Sequence, residues 1–595
     1  MGTRDWTRTV ASVTDRLRAR LDAFGEAFSA PVGVVLAVAT VVVFYRLGER
    51  PLWWWDESFY ANAALHAVEG GHWLIPHLAG FDTIHPSPFL EKPPLAIWLE
   101  ALSIGAFGPT EFAVRVPSAA AAVATTVLVY AVGRRIRGRA AGLVAAAVFL
   151  TTPAVIVGTN AARFGATDTL HVLFGSLLVV LVWLHATGRR DVSPLLVGGV
   201  ASALLLTKGF AAGAFLLALA PLPVRYRERF SPRFVGVATA VTAVAVGWWV
   251  VAAYLLQGGY FVEEIFLDPV WARIVGADTA APGPGRETLL PVFEYPYLTK
   301  IQGTLRPWWF LFLAGAVVAA ARPRPADGDE TPGALDPRFL LWWALAAAAP
   351  FALFGTQPWY ILPLYVPAAL TVGWLVASAV DGHRPAAAGV VAGTVLVALA
   401  GDDGRLYGLG GDGGFVLDPA LPSDPTAVIA VAIVCVGGWL LTATPFGGGE
   451  VSLPGALSLD VEAFGRALTV GVVLALVAAA LVGTPSVYAA GNADEPTDTA
   501  FHRLGETTAD VVPAGERVYV QPNAAALWFY ASYEFYADRP MREVPVERLR
   551  SDPRVRYALL TTAGVPLVTE RDPTVLARSD HLGIVLVELG PPPET

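Results

Sequence analysis

Asp56 and Glu57 follow directly on Trp53-Trp54-Trp55, and further along the same stretch Phe89-Leu90-Glu91-Lys92-Pro93-Pro94 places another carboxylate beside an ammonium group. A carboxylate can take the proton from an attacking hydroxyl, so Asp56 and Glu91 form a candidate catalytic pair. Consecutive tryptophans read as an interfacial anchor that would hold them at a membrane surface. Lysine gives an independent sign. The chain contains only Lys92, Lys208 and Lys300, its other basic side chains being arginine. An ammonium neutralises a phosphate as a compact point charge, which makes these lysines candidate phosphate contacts. Lys208 closes the apolar run Leu205-Leu206-Thr207-Lys208, near membrane depth. An ionisable group is costly there and marks function, the plainer reading being a side chain that snorkels to the interface. Arg163 and Asp168 form a further charged pair, which alone would be a surface ion pair of small energetic weight. His72, His77 and His85 could supply metal ligands beside Glu91, but their spacing is no recognised metal motif. The single cysteine, Cys435, lies in an apolar run, so neither a disulfide framework nor a thiolate cluster can be built.

The elements that must position these residues are membrane helices. Of 595 residues, 55% are hydrophobic and 15% charged, and mean hydropathy is +0.54. The net charge of -9, with arginines in short clusters rather than a stripe, argues against nucleic acid as a partner. Residues 1–30 carry Arg4, Arg8, Arg16, Arg18 and Arg20 ahead of the first apolar run, which has no small-residue cleavage site. They read as a cytoplasmic segment without a cleaved signal peptide. The clusters around Arg134, Arg189, Arg225 and Arg322 want to be cytoplasmic as well. The run from Pro94 to Gly108 is short, opens with prolines and contains Glu100; if it crossed, the Arg134 cluster would land outside. It therefore reads as an interfacial helix.

Spans are then expected at 31–47, 116–133, 140–158, 169–187, 194–208, 209–224, 234–256, 307–321, 338–354, 360–380, 385–400, 426–443 and 466–485. That makes about thirteen helices by the hydropathy and positive-inside rules. A transmembrane domain thus runs over 31–485, with outer loops at 48–115 and 257–306. The second of these is rich in Gly and Pro, long enough for a lid, and contains Glu263, Glu264, Asp268 and Arg273. Residues 486–595 become polar, with strands expected at Arg517–Gln521 and Gly583–Leu589 and a helix at Ala524–Ala537, forming a small α/β domain outside the cell. Acid-rich composition with almost no lysine suits an archaeal or high-GC bacterial cell membrane.

Several motifs stand in a recognisable order: Asp56-Glu57 followed by Tyr60, Gly71-His72-Trp73-Leu74-Ile75-Pro76, Phe89 through Pro94, and Phe107-Gly108 leading to Phe112-Ala113-Val114-Arg115. Thr207-Lys208-Gly209 and Tyr360-Ile361-Leu362-Pro363 follow. With them the chain resembles the GT-C glycosyltransferases, the superfamily of aminoarabinose transferases and protein O-mannosyltransferases, over roughly residues 50–365. The resemblance implies an α-helical polytopic GT-C fold and transfer of a sugar from a polyprenyl- or dolichyl-phosphate carrier to a protein, lipid or glycan acceptor, with inversion at the anomeric carbon. It implies that Asp56 and Asp168 are catalytic carboxylates, with Glu91 a third that orients the acceptor or binds a divalent metal ion. Lys92, Lys208 and, on weaker alignment, Arg273 would contact phosphate, while Glu57, Tyr60, Arg163 and Tyr360 would line the substrate site. The chain departs from the aminoarabinose branch at Phe59, where that branch has Arg, and at Thr356-Gln357-Pro358-Trp359, where it has a Lys. A polytopic transporter or flippase of lipid-linked sugars is the competing class. It would gather its charges near the bilayer midplane between inverted repeats rather than at one face.

Overall fold

A chain in hydrocarbon must satisfy its backbone internally, so apolar runs become helices. The computed structural model describes residues 30–53, 55–78, 88–272, 297–322, 336–354, 358–400, 407–409, 415–417, 450–453, 457–460, 471, 496–522 and 530–593. The expected spans 426–443 and, but for one residue, 466–485 lie outside them, as does, but for Ala30, the N-terminal segment expected in the cytoplasm.

Helix α1 (Ala30–Phe44) is the first apolar run. The runs expected at 116–133 and 140–158 form α4 (Glu111–Leu150), which is bent at Arg137 and Gly138. Gly138 takes φ 79°, a conformation that costs glycine little, and the arms pack so closely that a Cβ on Gly133 would come within 2.9 Å of the Gly142 backbone. Thr167–Ala186 (α5), Pro194–Lys208 (α6) and Pro232–Gln257 (α7) match the next expectations. The chain breaks at Lys208 and Gly209 before the short helix Gly213–Leu219. Trp309–Ala321 (α8), Pro337–Phe354 (α9), Leu362–Val380 (α10) and Arg384–Leu399 (α11) follow. Among the described residues five helical stretches, Glu111–Leu150, Thr167–Ala186, Pro194–Arg225, Pro232–Gln257 and Trp359–Val380, are long and apolar enough to cross a membrane. The molecule is a helical membrane protein. Helix α10 is buried along most of its length and packs on α4, α9 and α11, forming the centre of the largest apolar core.

Two helices between α1 and α4 build the first loop: α2 (Asp56–Gly70) and α3 (Leu95–Phe107). Helix α3 is the run that reads as interfacial, and its 13 residues fall short of the roughly 20 that a perpendicular span requires. Leu102 and Phe107 are exposed on it, while Ala96, Ile97, Glu100, Ala101 and Ile104 face the protein. The tryptophan cluster turns inward in part: Trp53 packs edge-on against Phe164 at 6.0 Å and Trp55 against Phe59 at 6.5 Å.

Two short hairpins not anticipated from the sequence, Tyr407–Leu409 (β1) with Phe415–Leu417 (β2) and Glu450–Leu453 (β3) with Leu457–Asp460 (β4), follow α11. From residue 496 the chain forms helix α12 (Pro496–Val511), helix α13 (Tyr530–Ala537) and a five-stranded mixed sheet. Its strands are Val518–Val520 (β5), Met541–Glu543 (β6), Tyr557–Thr561 (β7), Thr574–Ser579 (β8) and Ile584–Glu588 (β9), in the order β6-β5-β7-β9-β8. Strand β5 pairs parallel to β6 and β7; β9 pairs antiparallel to β7 and β8. β5 and β9 coincide with the expected strands, and α13 with the described part of the expected helix.

This unit is fastened to the first loop. The Leu52 amide donates to the Tyr536 hydroxyl at 2.7 Å, that hydroxyl donates to Glu111 at 3.0 Å, and Asn62 donates to the Ala531 carbonyl. Arg50 meets Asp498 at 3.2 Å and His66 meets Glu534 at 3.3 Å. Ala531 and Phe535 share an apolar cluster with Phe59, Ala63 and Phe89.

Candidate active site

Helix α2 starts at Asp56, immediately after the tryptophans, so its first turn carries Asp56 and Glu57 where a helix N-terminus favours negative charge. The two adjacent carboxylates point to different fates. Glu57 is fully buried, and each of its oxygens accepts two hydrogen bonds. Oε1 takes Arg115 Nε at 2.7 Å and the Gly165 amide at 2.9 Å; Oε2 takes the Trp53 amide at 2.7 Å and Arg115 Nη2 at 3.1 Å. Arg115 gives its remaining N–H groups to the carbonyls of Leu47, Arg50 and Pro51 at 2.8–3.0 Å, so all five donors of the guanidinium are used. Burial alone would raise the Glu57 pKa, but Arg115 outweighs it and holds the group below the usual carboxylate range. Glu57, expected at the substrate site, thus ties the first loop to α4 through both of its oxygens. Gly165 is required for this contact, since a Cβ there would come within 2.3 Å of Val114.

Arg163, also expected at the substrate site, holds the end of a membrane helix. It is 6% exposed and donates to the carbonyls of Val43, Tyr45 and Arg46 at 2.6–2.9 Å, capping the end of α1.

Asp56 is half-buried, and its Oδ2 accepts from the Asn160 amide at 2.7 Å. Among the described residues it forms no ion pair. Burial first, then the neighbouring Glu91 and the more distant Asp168, push its carboxyl up to about 6, while Lys92 and Asn160 oppose the rise. Glu91 is bonded to Lys92, and Lys208 to Asp168. Burial would lower the Lys92 pKa, but Glu91 and Asp56 raise it, so the ammonium stays charged. The Lys208 ammonium lies 5.3 Å from the centre of the Tyr360 ring, and Tyr360 also acts electrostatically on Lys92. Pro93 lies 3.5 Å from where a Cβ of Gly209 would stand, so the first loop closes over the break after Lys208. Tyr60 is buried one turn along α2, edge-on to Phe89 at 6.0 Å. Burial, then Asp56, Glu91 and Asp168, push its phenol well above its ordinary value.

Thus Asp56, Tyr60, Glu91, Lys92, Asp168, Lys208 and Tyr360 assemble from five segments. Every charged member lies at a helix end or in a loop: Asp56 begins α2, Asp168 is the second residue of α5 and Lys208 ends α6. Arg273 and His85 lie outside the described residues, and the side chain of Lys300 is not described. Among the described residues no three His, Cys, Asp or Glu side chains gather as a metal-binding group. His72 and His77 stack on each other 4.2 Å apart, and His77 Nδ1 lies 2.7 Å from the Ile75 carbonyl.

Sequence reasoning missed Asn160 and gave Glu100 no role beyond marking a helix that does not cross. Glu100 is fully buried, neither oxygen is hydrogen-bonded among the described residues, and burial, then Glu57, pushes its carboxyl well above the usual carboxylate range. A carboxyl inside an otherwise apolar helix was the available signal. Asn160 gave none, being one polar residue in a polar loop.

The helical frame and this cluster define the class. A family model described as dolichyl-phosphate-mannose-protein mannosyltransferase matches residues 91–253. The structure superposes on the crystal structure of ArnT from Cupriavidus metallidurans bound to undecaprenyl phosphate with a TM-score of 0.59, covering 93% of this chain and 97% of that one at 16% identity. The chain thus has that fold and resembles the GT-C glycosyltransferases. In sequence it is similar to the undecaprenyl phosphate-alpha-4-amino-4-deoxy-L-arabinose arabinosyl transferase of Aeromonas salmonicida, 28% identical over 57% of this chain and 58% of the relative. It is also similar to the second such transferase of Pseudomonas fluorescens, 29% identical over 56% and 54%. The match spans little more than half the length of these relatives.

Proposed function

We propose that the chain is a glycosyltransferase that moves a sugar from a polyprenyl- or dolichyl-phosphate carrier to a hydroxyl of a protein, lipid or glycan acceptor at the outer face of the cell membrane. One observation carries this reading: Asp56, a carboxylate with no ion-pair partner among the described residues, stands beside two lysines that are each held by another carboxylate. Asp56 then takes the acceptor's proton as its hydroxyl attacks the anomeric carbon from the face opposite the phosphate, inverting that carbon. Lys92 and Lys208 stabilise the charge on the departing phosphate in a partly desolvated site, and Glu91 and Asp168 position them for it. Tyr60 and Tyr360 flank the site. The names of the curated relatives, and the undecaprenyl phosphate bound to ArnT of Cupriavidus metallidurans, support a lipid-phosphate donor. The placement of every charged group at a helix end or in a loop speaks against a transporter or flippase, which needs charge along its path.

The same reading puts residues 1–30 in the cytoplasm, about thirteen crossings between them and residue 485, and residues 486–595 outside. A reporter active only in the cytoplasm, fused at Thr595, should stay dark; a bright fusion would invert the topology and place Asp56 on the wrong side for this donor.

The role of Lys208 is open to direct measurement. With a polyprenyl-phosphate sugar titrated as donor, Lys208→Ala should raise KM and lower kcat together, each by about 10-fold or more for loss of a desolvated charge contact. Lys208→Arg should keep part of both, because charge survives while the compact geometry does not. Kinetics unchanged in Lys208→Ala would mean that the side chain merely snorkels.

A further inference from the structure

Asn160 occupies a place that the fold does not explain. It lies in the turn between the short helix Pro153–Ile156 and α5, 1% exposed, with φ at 57°. Left-handed backbone is strained for most residues and is tolerated best by glycine, with asparagine next. Its Oδ1 is buried and accepts no hydrogen bond, an arrangement native interiors avoid. Its Nδ2 donates its one hydrogen bond to Asp56 Oδ2 at 2.7 Å, across 104 residues of sequence. The side chain thus adds little cohesion to its own loop, and strain together with an unpaired polar atom is what functional positions show.

We propose that Asn160 is a positioning residue: its amide pins one oxygen of Asp56 so that the other is presented to the acceptor hydroxyl. An ionised carboxylate accepts only from the nitrogen side of the amide, which fixes the orientation of the side chain. The bond also favours the ionised form of Asp56 against burial, Glu91 and Asp168, alongside Lys92 and with the Tyr60 phenol on the same helix. Asn160 therefore works with Lys92 to keep the base available in surroundings that disfavour its charge.

The inference rests on the proposed role of Asp56, and the test separates the two. Asn160→Gly suits the left-handed backbone while removing the amide, so the fold should keep or gain thermal stability. Undecaprenyl-phosphate aminoarabinose and dolichyl-phosphate mannose serve as donors, with products read by mass. Asn160→Gly should lower kcat about 10-fold or more, leave the donor KM within about two-fold, and move the acidic limb of the pH profile upward. Independently of any substrate, infrared titration of the Asp56 carboxyl, isolated by subtracting the Asp56→Asn spectrum, should shift to higher pH in Asn160→Gly. An unmoved titration overturns the positioning role whatever the donor proves to be. If the titration moves while Asp56→Asn retains full turnover, the contact is as described and the catalytic reading of Asp56 is what fails.

Discussion

Asp56→Asn is expected to lose about 100-fold or more in turnover, the magnitude typical of a general base, while inserting and folding normally. The amide is nearly isosteric but cannot take a proton. The pH dependence follows from the raised carboxyl: the base is ionised only above its pKa, so wild-type turnover should fall as pH drops through about 6. Stability should move the other way. The folded state binds this proton more tightly than the unfolded chain, so an ionised Asp56 costs stability at neutral pH, and that cost disappears as pH falls toward the ordinary carboxylate range. Asp56→Asn should therefore melt at or above the wild-type temperature at neutral pH, with the gap closing in acid, as expected where function is bought with stability. Near-normal turnover in this variant would remove Asp56 from the chemistry and promote Asp168 or Glu91.

The neighbouring carboxylate should fail differently. Arg115→Ala leaves Glu57 buried with its charge uncompensated, and losing one partner of a buried pair costs about 3–5 kcal/mol. The expected result is a large drop in unfolding temperature in detergent and a protein that is recovered poorly. Replacing both partners, as in Glu57→Leu with Arg115→Leu, should recover part of that loss, since two apolar groups leave no stranded charge. If Glu57→Gln instead unfolded at the wild-type temperature but lost turnover, the pair would belong to the chemistry after all.

The contrast between these residues shows what a sequence can and cannot disclose. Asp56 and Glu57 are adjacent and chemically alike, and only the partner each meets across the fold separates them. Arg115 lies 58 residues from Glu57 and Asn160 lies 104 from Asp56, distances over which neither hydropathy nor spacing carries information. The partners of Arg163 were hidden for the same reason, because its three carbonyl acceptors belong to the end of a helix 117–120 residues earlier. The frame was legible because hydropathy and helical length are local: α5, α7, α8 and α9 begin and end within about three residues of expectation, inside the usual fraying of helix boundaries. The rare lysines were legible for another reason, since two of them proved to share Tyr360 in a chain that otherwise uses arginine. The β1–β2 and β3–β4 hairpins were not, as strands of three or four residues carry too little alternation to separate from loop.

The fastening of the sheet unit to helix α2 also sets an order of events during synthesis. Asn62 meets Ala531 across 469 residues, and the Leu52 amide, four positions before Asp56, meets Tyr536 across 484. Contacts so distant in sequence cannot close until residues 531–536 have been made and brought to the same side of the membrane. The helix that begins at Asp56 therefore waits, after its own synthesis, for a surface made 469 residues later, and a nascent chain carries Asp56 without the support it has once that surface has docked.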